Sequence, residues 1–264
     1  MATVKEIFRY LDAIAPFSIQ MSFDNSGFLV GRGEAAVDKV MVALDITEEV
    51  IQEAEEKSCQ LIISHHPIIF HPAHHVTDAD PVGRCILSLV EHHMAAICAH
   101  TNLDAVSGGV NDVLSRKLHL TEIEQLHQDG VDIHGRPYGI GRVGMAEGRM
   151  YLPEFAAFVR EQLNAEGLRM EDAERPVQRV AVGGGACGDM LDDVQRLGCD
   201  TFVTADVKYN VFLDARAMGI NLIDAGHFST ENVVCPVLAD WLRRGFPKLK
   251  IFLSERHKDV FDSL

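Results

Sequence analysis

The sequence predicts an α/β fold built from two similar βαβαβα halves with mostly parallel sheets. Two segments show the same alternation of short apolar runs, typical of buried strands, with longer stretches of helical periodicity. Strands that alternate with helices in this way form largely parallel sheets, because a crossover helix returns the chain to the same end of the sheet. A polar, glycine-rich stretch at about residues 120–148 separates the segments and is either their boundary or a site of insertion. We expect domains at residues 1–125 and 126–264.

Each half is predicted as an ordered series of elements. The first half is expected to contain strand 39–45, helix 47–57, strand 60–64, helix 82–93, strand 95–99 and helix 110–118. A helix at 152–166, with Pro153 near its start, opens the second half. It is followed by strand 178–182, helix 189–197, strand 200–204, helix 209–218, strand 220–224, helix 230–243 and strand 249–253.

Composition restricts the classes of function. The formal net charge is −15, with no run of Lys or Arg, which argues against general nucleic-acid binding and against binding to an anionic membrane. We find no apolar run long enough to span a bilayer and no secretory signal pattern in the opening residues. The six cysteines contain no CxxC pair and mostly lie in apolar patterns, which favours a reducing compartment, the cytoplasm.

Histidine and carboxylate residues gather where predicted parallel strands end. Functional groups of parallel α/β sheets collect beyond the carboxyl ends of the strands. His65 and His66 directly follow one predicted strand, and neighbouring side chains at a strand end point apart, so this pair suits two metal ions better than one. Asp104 lies in the loop after the next strand, and His227 and Glu231 are spaced to share one helix face.

These five residues predict a site for two divalent metal ions per chain. Imidazole together with carboxylate suits Zn, Fe, Mn or Co, and a carboxylate such as Glu231 can bridge two ions. The alternative interpretation is a surface or core histidine pair, with Glu231 as an acidic residue that interacts with a helix dipole. The predicted ligands are His65, His66, Asp104, His227 and Glu231.

Several residues near the predicted metal ligands allow either a structural or a functional interpretation. The glycines at 183–185 follow a strand and form either a tight structural turn, which we favour, or a phosphate contact. Cys187 is interpreted as structural, because no base can be assigned to it. Asp45 either caps the following helix or supports a metal ligand. A histidine-rich loop is either solvated, which we favour, or in contact with substrate; it contains His71, His74 and His75.

The sequence resembles the GTP cyclohydrolase 1 type 2 homolog family, also called Nif-three-like dinuclear metal proteins. The matching stretches follow in order along nearly the whole chain: 23–31 (FDNSGFLVG), 43–47 (ALDIT), 64–67 (SHHP), 100–104 (HTNLD), 180–185 (VAVGGG), 204–208 (TADVK) and 226–231 (GHFSTE). Phe23 stands where the family usually has Trp, and a histidine often seen near Asn210 is missing.

The resemblance implies several properties of the protein. His65, His66, Asp104, His227 and Glu231 would bind two divalent metals in a cleft between the two halves. The subunits would form a ring-shaped homohexamer. The chain looks like the compact form of the family, without the domain that longer members insert between the halves.

The leading functional hypothesis is a metal-dependent hydrolase similar to GTP cyclohydrolase. A metal-bound hydroxide would attack a purine ring carbon of a nucleotide, with Glu231 and His65 as catalytic residues. A metal-dependent phosphoesterase is an alternative, because two metals also stabilise displacement at phosphorus. A second alternative is a metal-binding scaffold or regulatory interaction protein without catalysis, which a closed ligand set would favour.

Overall fold

The computed structural model describes residues 2–261 of the chain. Within these residues the α-helices, in chain order, are α1 (Val4–Ile14), α2 (Glu48–Glu56), α3 (Pro81–Glu91), α4 (Thr101–Ala105), α5 (Val110–Lys117), α6 (Leu152–Leu163), α7 (Leu191–Arg196), α8 (Tyr209–Met218), α9 (His227–Glu231) and α10 (Cys235–Gly245). Short 3-10 helices lie at Phe17–Ile19, Gly188–Met190 and Asn232–Val234.

The strands are mostly short and are connected by these helices or by loops. In chain order they are β1 (Ala2–Thr3), β2 (Gly27–Val30), β3 (Ala36–Val37), β4 (Lys39–Ala43), β5 (Leu61–Ser64), β6 (Ala95–Cys98), β7 (Thr121–Gln125), β8 (Gly130–Val131), β9 (Pro137–Tyr138), β10 (Arg142–Tyr151), β11 (Arg169–Glu171), β12 (Pro176–Val182), β13 (Thr201–Thr204), β14 (Asn221–Asp224) and β15 (Lys250–Leu253).

The chain forms two compact units. The first comprises the described residues up to Leu103 together with Cys235–Lys258. The second comprises Asp104–Val234 and the described residues after Lys258. No helix among residues 2–261 is both long enough and apolar enough to cross a membrane.

The first unit contains a five-stranded sheet in the order β15-β4-β5-β6-β2. The pairs β15–β4, β4–β5 and β5–β6 are parallel, and β2 pairs antiparallel with β6. All four residues of β5 and of β6 are buried, as expected for central strands covered on both faces. Since parallel strands end at the same edge of a sheet, the segments after β4, β5 and β6 are brought together there.

The second unit contains a six-stranded sheet in the order β11-β14-β13-β12-β10-β7. Its central strands β12, β13 and β14 are parallel, while β11, β10 and β7 extend the sheet through antiparallel pairs. The buried side chains of α5 and α6 pack against the central strands and form the core of this unit. The ends of β12, β13 and β14 therefore place three loops at one edge.

The predicted α/β class with parallel sheet strands is confirmed, and the structure corrects three details of the predicted elements. The polar stretch at about residues 120–148 shows no clear periodicity in the sequence. In the structure it contains β7 and most of β10, which pair antiparallel with each other. The last strand was predicted to continue the second half. Instead, β15 pairs in parallel with β4 in the sheet of the first unit, and α10 packs against both strands.

The predicted helix 230–243 is also interrupted. The structure has α9, a 3-10 turn and then α10, which begins at Cys235. Pro236 is the second residue of α10, a position that tolerates the missing N–H of proline. The short α9 thereby becomes a separate element directly after β14.

Candidate metal centre

Three imidazole side chains lie together in the first unit. His65 and His66 follow β5 directly, and His100 follows β6 after a single residue. One ring nitrogen from each histidine lies within 4.8 Å of the others. The ring centroids are 5.1 Å apart for His65 and His66, 5.2 Å for His65 and His100, and 5.6 Å for His66 and His100. We call this group the three-histidine cluster.

Oxygen acceptors orient the first two rings of the cluster. Nδ1 of His65 lies 2.8 Å from the carbonyl oxygen of Ala99, and Nδ1 of His66 lies 2.7 Å from Oδ1 of Asp45. A carbonyl or carboxylate acceptor favours the tautomer with the proton on Nδ1. Nε2 is then the ring atom that can act as a metal ligand, and such oxygen partners are typical of metal-binding histidines.

The third ring is oriented by Asp24. Nδ1 of His100 lies 2.8 Å from Oδ1 of Asp24, whose side chain is fully buried. Burial alone acts to raise the pKa of Asp24, but hydrogen bonds with His100, Thr101 and Ser26 outweigh it and hold the pKa well below its usual value. Asp24 is therefore a carboxylate at neutral pH and fixes the His100 ring.

Asp45 supports a candidate ligand and does not cap the following helix. The hydroxyl of Thr47 caps α2 by accepting from the N–H of Val50. One carboxylate oxygen of Asp45 contacts His66, and the other lies 3.0 Å from Nε2 of His257. Burial acts to raise the pKa of Asp45, but these two histidines lower it well below its usual value. Of the two predicted roles, the helix cap is excluded, and the contact with His66 agrees with the supporting role.

In the second unit, α9 places His227 and Glu231 in contact. Nε2 of His227 lies 2.9 Å from Oε2 of Glu231, one helical turn later. Nδ1 of His227 lies 2.7 Å from Oδ2 of Asp206, which follows β13. His227 therefore repeats the arrangement seen in the three-histidine cluster, with an oxygen acceptor at Nδ1.

The buried carboxylates Asp104 and Glu231 share an environment in the second unit. Their residues are only 7% and 3% exposed. Burial raises the pKa of the nearby Cys187 thiol well above its usual value, and the charges of Asp104 and Glu231 act in the same direction. A protonated thiol is a poor nucleophile, so this environment supports the structural interpretation of Cys187.

The glycine turn after β12 is a structural turn, as favoured from the sequence. Each of its three N–H groups already donates to an acceptor within the second unit. The acceptors are the carbonyl of Val203 for Gly183 (2.9 Å), Oδ1 of Asn111 for Gly184 (2.9 Å) and Oγ1 of Thr230 for Gly185 (3.0 Å). These donors are consequently not directed at a phosphate.

The sequence assigned no role to several residues that complete these groups. His100 carries the same signal as His65, an imidazole at the end of a buried strand, and belongs to the cluster. Asp24 and Asp206 stand in the quoted motifs, but their contacts with His100 and His227 depend on tertiary structure. In the histidine-rich loop, His71, His74 and His75 are exposed.

The donor chemistry fits a divalent transition metal. Imidazoles with oriented rings suit Zn, Fe, Mn or Co, and the buried carboxylates of the second unit suit the same ions. The described residues thus contain candidate metal-binding groups. Imidazole and carboxylate donors alone do not select among the four metals.

The sequence and the fold were compared with those of known proteins. A relative from Clostridium perfringens (strain 13 / Type A), named GTP cyclohydrolase 1 type 2 homolog, is 32% identical over 261 residues, covering 98% of this chain and 98% of the relative. A relative of the same name from Clostridium acetobutylicum is 35% identical over 249 residues, covering 94% of this chain and 92% of the relative.

A solved structure, described as a Bacillus cereus protein related to NIF3, matches the fold with a TM-score of 0.94 at 23% identity, covering 100% of this chain and 99% of that chain. At this identity the likeness concerns the fold. The model of the Duf34/NIF3 (NGG1p interacting factor 3) family matches residues 2–260. Together with the two clostridial relatives, this match shows that the chain belongs to the Duf34/NIF3 family.

Proposed function

We propose that this protein is a dinuclear divalent-metal-dependent hydrolase that acts on the purine ring of a nucleotide. The observation that carries the proposal is the three-histidine cluster, in which every ring has an oxygen partner at Nδ1. Metal ligands are commonly oriented in this way, and here three such rings each place one nitrogen within 4.8 Å of the others. The names of the clostridial relatives support GTP cyclohydrolase-like chemistry.

We assign the ligands of the two ions to five residues. His65 and His66 are the ligands of the first unit, and His100 is positioned to join them. Asp104, His227 and Glu231 are the ligands of the second unit. The support is separate in each unit: clustered imidazoles in the first, and buried carboxylates with an oriented imidazole in the second.

Two bound divalent ions supply Lewis acidity and lower the pKa of a coordinated water. Glu231 and His65 are the proposed catalytic residues. Both are buried, so their side chains hold a fixed position with little bulk water around them. Glu231 is the carboxylate that would offset the charge of both ions, and a nearby His or Asp would accept the proton. The Nδ1 contact with Ala99 keeps the His65 ring in one orientation.

Metal content and GTP turnover test this proposal together. Elemental analysis of protein purified without chelator is expected to give about two divalent ions per chain. Metal-loaded protein is expected to convert GTP, and His65→Ala to abolish the conversion. His92→Ala is the matched control, because His92 pairs with Glu55 at the surface of the same unit. Fewer than one ion per chain after reconstitution overturns the metal assignment.

Turnover separates the proposed hydrolase from the alternatives. Two tightly held ions without conversion of GTP point to a metal-binding scaffold or regulatory protein. Release of phosphate without opening of the purine ring points to a phosphoesterase.

We also propose that the subunits assemble into a homohexameric ring. The support is the family to which the chain belongs and its resemblance to dinuclear metal proteins of this kind. Light scattering at micromolar concentration tests the assembly, and a monodisperse species near 29.2 kDa contradicts it.

A further inference from the structure

Two phenylalanine side chains lie exposed near the three-histidine cluster. Phe23 is 62% exposed and Phe70 is 38% exposed, and their ring centroids are 6.4 Å apart at an angle of 60°. Among the described residues of the first unit, they are the exposed members of the Phe, Tyr and Trp side chains. A single exposed apolar residue is common. Two aromatic rings in contact leave a larger apolar area in water, and a bound group that covers this area would be stabilised by its removal from water.

Hydrogen bonds fix the segments that carry the two rings. Phe23 is followed by Asp24, which orients His100. The next residue, Asn25, donates from Nδ2 to the carbonyl of Ile69 at 2.5 Å. On the other segment, Ile68 is buried in the core of the first unit, so the chain emerges from a fixed point before Phe70. The relative position of the two rings therefore depends on residues 23–25, the segment whose Asp24 also orients His100.

The aromatic pair is continuous with the imidazoles. The Phe70 ring centroid lies 6.1 Å from that of His100 at 81° and 4.9 Å from that of His71. A group that packs on Phe23 and Phe70 is consequently held within a few ångströms of a candidate metal ligand. The rings offer no charge and no hydrogen-bond donor, so the group that they suit best is flat and unsaturated.

We propose that Phe23 and Phe70 form a binding face for the planar base of a nucleotide. The inference rests on the proposed function for its choice of substrate, and it adds which residues hold the base. Stacking of a base on an aromatic side chain does not require a positive surface, which suits a chain with a formal net charge of −15.

Isothermal titration of zinc-loaded protein with guanosine monophosphate tests the binding face. Phe23→Ala and Phe70→Ala are each expected to weaken binding about tenfold, the usual effect of removing one stacking partner. Phe23→Trp is expected to retain the affinity, because the larger ring also stacks. Zinc content and thermal stability are expected to stay unchanged, since both side chains are exposed. Ile133→Ala, at a site 88% exposed in the second unit, is the control.

Ribose 5-phosphate distinguishes the base from the rest of the nucleotide. We expect it to bind the wild type and both alanine variants equally weakly. The inference is overturned if guanosine monophosphate does not bind the wild type, if ribose 5-phosphate binds as tightly, or if neither alanine variant changes the affinity. A change in molecular mass by light scattering in the alanine variants also overturns it, because the rings would then form a subunit contact.

Failure of the proposed binding face and failure of the proposed hydrolase activity give different results. Wild-type turnover of GTP with an unchanged KM in both alanine variants refutes the binding face alone. If binding of guanosine monophosphate depends on both rings but GTP is not converted, the binding face is supported and the proposed hydrolase activity is refuted.

Discussion

Gly185 makes room for the carboxylate of Glu231, since a Cβ atom at this position would lie 2.1 Å from Oε1 of Glu231. Gly185 also has φ of +68°, a backbone conformation that favours glycine. Its N–H donates to the hydroxyl of Thr230, the residue before Glu231. The glycine turn thus positions a candidate metal ligand, although it does not offer its N–H groups to a ligand.

Gly185→Ala is expected to lower the free energy of unfolding by about 1–3 kcal/mol and to weaken metal binding strongly. The added methyl group must displace the buried Glu231 carboxylate. Gly219→Ala is the matched control, because Gly219 has φ of +67° but no atom within 4 Å of the added Cβ. It is expected to lower stability through backbone strain and to leave metal affinity unchanged. Urea unfolding and calorimetric zinc titration measure both effects, and equal metal affinity in the two variants would contradict this role of Gly185.

Glu231→Gln is expected to fold normally and to bind the second ion much more weakly, with loss of hydrolytic activity. The substitution keeps the size of the side chain but removes the negative charge that would offset the two proposed dications. Asp104→Asn is expected to weaken mainly one ion. Calorimetric titration of both variants distinguishes the roles. Retention of both sites at wild-type affinity in Glu231→Gln would show that Glu231 is not the shared carboxylate.

Asp45→Asn is expected to weaken metal binding by about 10- to 100-fold, because the charged acceptor that orients His66 is lost. Asp38→Asn provides a control at the other end of the same strand, where Asp38 is exposed and precedes β4. Competition with a chromogenic zinc chelator measures the affinities. The support assigned to Asp45 is refuted if the two variants bind zinc equally.

Glu53 anchors the segment that follows β15. The residue is 3% exposed, and its carboxylate accepts from the hydroxyl of Ser254 (2.6 Å) and from the N–H groups of Glu255 and Arg256. Burial acts to raise the pKa of Glu53, but the hydrogen bonds with Lys57, Ser254 and these N–H groups lower it from 4.5 to about 2. The anchored segment ends at His257, which contacts Asp45.

Glu53→Gln is therefore expected to lower the free energy of unfolding by about 2 kcal/mol at neutral pH. Because the folded-state pKa is depressed, this stabilisation is fully present above pH 4.5 and is lost as the pH falls towards 2. The difference between wild type and variant should shrink over that range in urea unfolding. Glu56→Gln, on the same helix with an exposed pair to Arg256, is expected to change stability by less than about 0.5 kcal/mol. A difference that is independent of pH would contradict the assignment.

The sequence by itself determined the class of fold and the parallel strands of both sheets. Buried strands such as β5 are largely apolar runs, and α8 ends at Gly219 in the left-handed conformation, so the local pattern was sufficient to locate both elements. It also indicated chemistry at His65, because an imidazole directly after a buried strand must lie at the carboxyl edge of a parallel sheet.

The tertiary structure decided which elements pair and which side chains meet. The apolar pattern of β15 predicts a partly buried strand. It does not predict that the neighbouring strand is β4, because any strand edge offers the same backbone donors and acceptors. In the same way, Asp24 lies 76 residues from His100 in the chain, and no local periodicity relates them. Their contact arises because β2 pairs with β6, which brings the loop before one strand to the loop after the other.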